Sequence, residues 1–143
     1  PARGVAEMVR VVRPGGHIAA YAWDMEGGGF PYDLVGRSLR DMGVEVPRPP
    51  SADASNVGVL EGLWRYAGLS DVETRVLTAE RTYESFDDYW TTILGAPSAG
   101  RQIGSLSASQ HDEFQQRLRA GLSIDDSGRV SCQARAHAVK GIR

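Results

Sequence analysis

Residues 7–23 read EMVRVVRPGGHIAAYAW. Apolar residues recur at positions 5, 8, 9 and 12, which places them on one face of an α-helix. Pro14-Gly15-Gly16 ends this helix, because proline cannot continue it and glycine adopts the left-handed turn. The next seven residues, His17–Trp23, are almost all apolar, which is typical of a strand covered on both faces. Helix, tight turn and buried strand together form half of a βαβ unit, so the stretch predicts an α/β fold.

The remaining chain continues the alternation of helices and strands. Helix patterns begin near Pro31, after Asn56, after Ser85 and after Ser107, while residues 95–106 are rich in Gly, Ser and Ala and predict a loop. A strand is predicted over 71–82. Over 129–138 apolar and polar residues alternate strictly, with Cys132 on the inward face, which favours an antiparallel strand with one wetter face. The sequence thus predicts three strands, one of them antiparallel, with about five helices.

Composition limits the classes of partner. The chain has 143 residues, enough for a single unit over 1–143, and 16 Lys plus Arg against 18 Asp plus Glu give a formal net charge of −2. Nucleic acids and anionic membrane surfaces are bound by clustered cations, so neither is expected as a partner.

The cysteine and histidine content bears on the compartment and on metal binding. Cys132 is the only cysteine, so we expect a cytoplasmic protein. The three histidines have no metal-ligand spacing, so we expect surface histidines and no metal site.

Three segments together resemble one enzyme family. Residues 7–16 before the apolar strand look like a signature of class I S-adenosylmethionine-dependent methyltransferases, in the ubiquinone/menaquinone-biosynthesis-like branch of methyltransferase type 11. In that family the signature marks the helix and turn that precede the fifth strand of the sheet. AGLSDVE, residues 67–73, resembles the approach to the sixth strand, and ARAHAVKG, residues 134–141, resembles the last, antiparallel strand. The resemblance implies the C-terminal part of a Rossmann-like methyltransferase sheet and a parent protein that transfers a methyl group to a small-molecule acceptor.

The resemblance does not extend to the cofactor loop. Members bind S-adenosylmethionine with a glycine-rich loop after the first strand and an acidic residue after the second. Only six residues precede Glu7, and Gly27-Gly28-Gly29 follows the wrong strand and lacks the G-x-G-x-x-G spacing. We therefore expect no cofactor-binding residue in this chain. The resemblance implies a fragment that supplies the acceptor-side half of a methyltransferase domain.

Six residues are candidates for the acceptor site. Trp23 and Asp24 lie at the carboxyl end of the first strand, where open α/β sheets place ligands, and Asp24 is a weak candidate for a catalytic base. The alternative is a Trp at the edge of the core and an Asp that caps a turn. Phe30 and Tyr32 follow the glycine triplet and suggest either a hinged lid or aromatics packed on the next helix. Tyr89 and Trp90 fall in a helical insertion over 83–121, which is expected to cover the acceptor, although aromatics at this spacing also form cores.

Two other functions remain open from the sequence. The chain is alternatively a catalytically inactive fragment that acts as a structural or dimerising module, since residues 17–23 would lack a neighbouring strand and leave an apolar sheet edge for homo-oligomer formation. A third alternative is the C-terminal part of a nucleotide-dependent oxidoreductase, which has the same order of strands and helices. An antiparallel last strand is not expected in that class.

Overall fold

The computed structural model describes residues 1–143, apart from the side chain of Ser98. The fold is mixed α/β, as the sequence predicts, and its sheet is antiparallel. In chain order the elements are α1 (Ala2–Val11), β1 (His17–Trp23), α2 (Asp33–Asp41), a 3₁₀ helix (Ala52–Ser55), α3 (Val57–Tyr66), β2 (Ser70–Tyr83), α4 (Phe86–Gly95), α5 (Pro97–Gly104), α6 (Ala108–Gly121), β3 (Ser123–Ile124) and β4 (Val130–Ile142). Within the described residues, no helix combines the length and the apolar character that crossing a membrane requires.

The last strand of the chain lies in the middle of the sheet. The strand order is β1-β4-β2, and the short β3 pairs with β4. β1 and β4 are antiparallel, in a register that runs from His17 opposite Ile142 to Trp23 opposite Ala136. The antiparallel last strand predicted from the sequence is therefore confirmed.

Contacts divide the chain into two compact units. The first unit comprises Pro1–Phe30, Arg48–Ala79 and Ala134–Arg143, and the second comprises Pro31–Pro47 and Glu80–Gln133. The single unit over 1–143 and the acceptor-covering role of residues 83–121 stay predictions.

The core of the first unit lies between the sheet and two helices. Its buried residues come from α1, β1, α3, the residue just before β2, and β4: Val5, Ile18, Leu60, Trp64, Leu69 and Val139. Only the Ile18 face of β1 is covered, because Ala19 and Tyr21 on the opposite face are exposed, Tyr21 by 65%. The expectation that this strand is covered on both faces is wrong, since both helices that contribute to this core pack on the Ile18 side.

The same helices decide which face of β4 is buried. The sequence places Val130, Cys132 and alternate alanines inward and His137 outward. Val130 and Ala136 are indeed buried, but Val139 and Gly141 are buried as well. A Cβ on Gly141 would approach a side-chain carbon of Trp64 to 3.1 Å. From His137 onward the covered face is thus the one that the alternation predicts to be polar.

The second unit has a core of aromatic and aliphatic side chains. It includes residues from α2, α4, α5 and α6: Val35, Leu39, Phe86, Tyr89, Ile93, Ala99, Ile103, Phe114 and Leu118. The loop that the sequence predicts over 95–106 is wrong, because Pro97–Gly104 form α5. Pro97 suits the first turn of a helix, and Ala99 and Ile103, one turn apart, are buried in the core, so tertiary packing outweighs the weak helix propensity of the glycines.

The helix starts follow their capping signals. Asn56 accepts the Gly58 N–H at 2.9 Å at the start of α3, and Ser107 and Gln110 form a reciprocal capping box on α6. Before α4 the Ser85 hydroxyl accepts the Asp88 N–H, but the Asp88 carboxylate accepts from Glu84 rather than from Ser85. The Asp88 carboxylate thus bonds the residue before the N-cap, and the two side chains do not form the reciprocal capping box seen at α6.

Candidate functional site

A buried carboxylate lies at the carboxyl end of β1. Asp24 follows the strand directly and is 6% exposed. Arg135 donates two hydrogen bonds to Asp24 Oδ2, from Nε at 2.9 Å and from Nη2 at 2.7 Å. The Gly27 N–H donates to the other oxygen, Oδ1, at 2.8 Å. Both oxygens of the carboxylate are therefore engaged by donors of the protein itself.

The electrostatics of Asp24 favour its ionised form. Burial by itself raises the pKa of a carboxyl group, but the Gly27 N–H, Arg135 and His137 outweigh burial and hold the pKa of Asp24 below its ordinary value. A carboxylate with a lowered pKa is a weak base. Asp24 is therefore better suited to hold Arg135 and the Gly27 turn in place than to accept a proton.

The glycine triplet forms a turn clamped onto β4. Arg135 donates from its side chain to the Gly27 carbonyl at 2.7 Å and from its backbone to the Gly29 carbonyl at 2.8 Å. A Cβ on Gly29 would lie 2.6 Å from the Arg135 carbonyl oxygen, and Gly28 has a φ of +73°. Close packing and a left-handed residue thus explain the glycines at these positions.

His137, two residues after Arg135 on β4, also joins the cluster. Its side chain is 12% exposed, its Nδ1 lies 2.7 Å from the Ser55 carbonyl oxygen, and its Nε2 lies 3.9 Å from Asp24 Oδ2. Because a carbonyl only accepts, Nδ1 carries the proton and Nε2 is directed to the carboxylate. The expectation that His137 is a surface residue is wrong, since the face that carries it packs inward here.

The 3₁₀ helix is fixed to the same end of β1. The Ser55 hydroxyl accepts the Met25 N–H at 3.1 Å and donates to the Ala52 carbonyl at 2.7 Å. Asp24, Arg135, His137 and Ser55 thus form one connected polar cluster within the first unit.

An apolar groove of about 430 Å³ borders this cluster. Trp23, Met25 and Ser55 line it on the side of the cluster, and Met8, Leu63 and Pro50 are among the apolar residues that complete it. No charged side chain lines the groove among the described residues. A mainly apolar concavity with a few polar groups at one end is a typical site for a small organic molecule.

The cluster does not form a cradle for S-adenosylmethionine. The Gly27 N–H is used by the Asp24 side chain and the Gly29 N–H by the Asp24 carbonyl, so neither amide is available to a ligand. Cβ atoms on Gly27 and Gly29 would meet Asp24 and Arg135 rather than open space. The glycine triplet therefore does not fit the cofactor. The described residues also contain no group of three or more His, Cys, Asp or Glu side chains that could hold a metal ion.

No protein-family model and no curated protein matches the chain. Among solved structures, the chain is similar to a protein from Bacillus halodurans C-125 described as a "putative methyltransferase", with 17% identity and a TM-score of 0.44. The match covers 99% of this chain and 62% of that protein.

The structure places the six residues predicted for the acceptor site in different units. Trp23, Asp24 and Phe30 belong to the first unit, and Trp23 is half-buried with its ring edge-on to Tyr21 at a centroid distance of 6.2 Å. Tyr32 belongs to the second unit and packs against its core. Asp24 is the residue of this set that enters the polar cluster.

Tyr89 and Trp90 also belong to the second unit. Tyr89 is 1% exposed and meets the Tyr83 ring edge-on at 5.2 Å, and its burial raises the pKa of its phenol. Trp90 is half-buried and stacks on Phe86 at 6.2 Å. Their contribution to an acceptor site stays a prediction.

Arg135, His137 and Ser55 are not among the residues predicted from the sequence. Arg135 is separated from Asp24 by 111 positions, and no local pattern links the two. The sequence does contain one signal for Arg135 and His137, because both lie among the alanines of the last strand. A charged side chain that is buried beside such small apolar residues needs an oppositely charged or hydrogen-bonding partner.

Proposed function

We propose that this chain supplies the acceptor-side half of a protein that transfers a methyl group from S-adenosylmethionine to an apolar small molecule. The observation that carries the proposal is the ordered set of three sequence signatures and the elements on which they lie. The first covers the second half of α1 and the Pro14-Gly15-Gly16 turn before β1, and the second covers the turn after α3 and the start of β2. The third lies on β4, the antiparallel strand between them in the sheet.

The groove at the carboxyl end of β1 supports the acceptor class. Its lining carries no charged side chain among the described residues, so it suits an uncharged, mainly apolar molecule. When bound, S-adenosylmethionine supplies the methyl group for a direct displacement. The residues of this chain orient the acceptor and exclude water, with Trp23 as a wall and the cluster of Asp24 and Arg135 fixing the turn beside it. A cytoplasmic location is part of the same proposal.

The test uses the complete gene product with methyl-labelled S-adenosylmethionine and a panel of apolar phenols, amines and thiols. We expect label to enter a product that organic solvent extracts, and Trp23→Ala to raise the KM for that acceptor. Tyr66→Ala is the matched control, because Tyr66 is 90% exposed. Absence of label in every acceptor, or equal kinetics for the two variants, would contradict the proposal.

A second candidate function is that of a catalytically inactive module that self-associates. The outer edge of β1 favours it, because β1 lies at the end of the strand order and its Tyr21 side chain is exposed. The two functions differ in whether the complete gene product binds the cofactor.

A further inference from the structure

One continuous segment forms a wall of the apolar groove. This segment, residues 48–55, ends in the 3₁₀ helix and is called the strap here. Most of its residues line the groove: Pro49, Pro50, Ser51, Ala52, Ala54 and Ser55. The opposite wall includes Trp23 of β1 and Leu63 of α3. The position of the strap therefore sets the width of the groove.

The first half of the strap is weakly held. Residues 48–51 are exposed. Pro49 and Pro50 have no N–H, and within the described residues the N–H groups of Arg48 and Ser51 donate no hydrogen bond. Ser51 has a φ of 58°, in the left-handed region that is costly for a residue other than glycine. A segment with unbonded backbone groups and few buried side chains opens locally at a low cost in free energy.

Ser55 fixes the other end of the strap. It is 4% exposed, and its hydroxyl accepts the Met25 N–H at 3.1 Å and donates to the Ala52 carbonyl at 2.7 Å. Its carbonyl accepts from His137 Nδ1 at 2.7 Å. The other hydrogen bonds described for the strap join residues within it or reach Asn56 directly after it. Two bonds at Ser55 thus tie the strap to the ends of β1 and β4.

We propose that the strap is a movable wall of the groove, which opens when Ser55 leaves Met25 and His137 and closes over a bound apolar molecule. His137 is the latch, because its Nδ1–H holds the Ser55 carbonyl. Opening also releases Ser51 from its left-handed conformation. A molecule in the groove contacts the closed strap only, so it shifts the equilibrium toward the closed state. The inference rests on the proposed function in that the groove is a ligand site, but it does not depend on methyl transfer.

The first test is amide hydrogen exchange, followed by NMR on the complete gene product without ligand. The Ala54 and Asn56 amides donate to carbonyls of the strap, so one opening motion should expose both. We expect them to share a protection factor at least about tenfold below that of the Trp64 amide, within α3. Protection equal to that of Trp64 would overturn the proposal, because the strap would then open only with the whole fold.

The second test removes the latch. His137→Leu lacks the donor and should lower the protection of the Ala54 and Asn56 amides about tenfold. His137→Asn places an amide N–H where Nδ1 lies and should keep the protection, whereas His137→Gln places its amide at the Nε2 position and should behave like Leu. His17→Leu, at an exposed position of β1, is the control for loss of a histidine. Equal protection in the Asn and Gln variants would overturn the role of His137, and an unchanged Trp64 amide checks that each variant is folded.

The third test uses N-phenyl-1-naphthylamine, an uncharged apolar fluorescent probe. We expect saturable binding, and at ten times the Kd of the probe the Ala54 and Asn56 amides should be protected about tenfold more. The His111 amide, at the start of α6 and outside the groove, should be unchanged. Absence of probe binding, or binding that leaves the strap amides unchanged, would overturn the proposal. None of the three tests involves methyl transfer, so their failure is distinguishable from failure of the proposed function.

Discussion

Removal of Arg135 should destabilise the protein more than removal of the charge on Asp24. The two side chains form one ion pair, but their exposure differs: 43% for the Arg135 side chain and 9% for that of Asp24. In Arg135→Met the carboxylate stays buried and loses its cationic partner. In Asp24→Asn the guanidinium is accessible to water, and the Asn carbonyl still accepts from Gly27.

The contacts set the size of the difference. Arg135→Met removes two charge-assisted hydrogen bonds to Asp24 and one bond to the Gly27 carbonyl, and it leaves a buried carboxylate held by the Gly27 N–H and His137. We expect the free energy of unfolding to fall by about 2–4 kcal/mol. Asp24→Asn keeps the side-chain shape and the bond from the Gly27 N–H, but its NH2 replaces the oxygen that accepts from Arg135, so both bonds from Arg135 are lost. Because water can solvate the 43% exposed Arg135 side chain, the free energy of unfolding should fall by only about 1–2 kcal/mol.

The assay is urea unfolding followed by far-ultraviolet circular dichroism and tryptophan fluorescence at neutral pH. An effect of Arg135→Met equal to or smaller than that of Asp24→Asn would refute the reasoning. Acid gives a second check on the same pair. The pKa of Asp24 is lower in the folded state, so the stability it contributes is present above the unfolded pKa and is lost as the pH falls through the folded pKa. The difference between wild type and Arg135→Met should therefore shrink below about pH 4.

Three further substitutions test local parts of the structure by the same unfolding assay. Gly29→Ala places a Cβ 2.6 Å from a β4 carbonyl oxygen and should lower the free energy of unfolding by more than about 2 kcal/mol. Gly62→Ala is the control, because a Cβ there meets nothing within 4 Å in α3, and it should stabilise the protein by about 0.5–1 kcal/mol. Equal effects of the two substitutions would contradict the close packing at Gly29. Ser107→Ala removes the N-cap of α6 and should cost about 1 kcal/mol, and no loss would show that the capping box is dispensable. Ile103→Ala empties a fully buried position and should cost about 2–5 kcal/mol, a loss that a solvated loop at α5 would not show.

Local signals in the sequence account for most of the secondary structure. The turn at Pro14-Gly15-Gly16, the cap at Asn56 and the box at Ser107 act within a few residues, so each helix or strand near them can be predicted. α5 could not be predicted, because Ala99 and Ile103 are stabilised by burial against residues from other helices. Propensity alone favours a loop there.

The candidate site was predictable only in part. Asp24 is identified by its place after an apolar strand, which is a local feature. Arg135 and His137 depend on the register between β1 and β4, which the sequence does not specify, and Ser55 depends on a 3₁₀ helix in a proline-rich connection. The inward direction of His137 follows from the face on which α1 and α3 pack, a property of the tertiary structure.

The most direct test of the proposed function is calorimetric titration with S-adenosylhomocysteine, on this chain and on the complete gene product in parallel. We predict no binding by the folded chain, because the Gly27 and Gly29 N–H groups already donate to Asp24, and saturable one-to-one binding by the complete gene product. Absence of binding by the complete gene product would contradict the methyl-transfer proposal, and saturable binding by this chain alone would contradict the absence of a cofactor site within it.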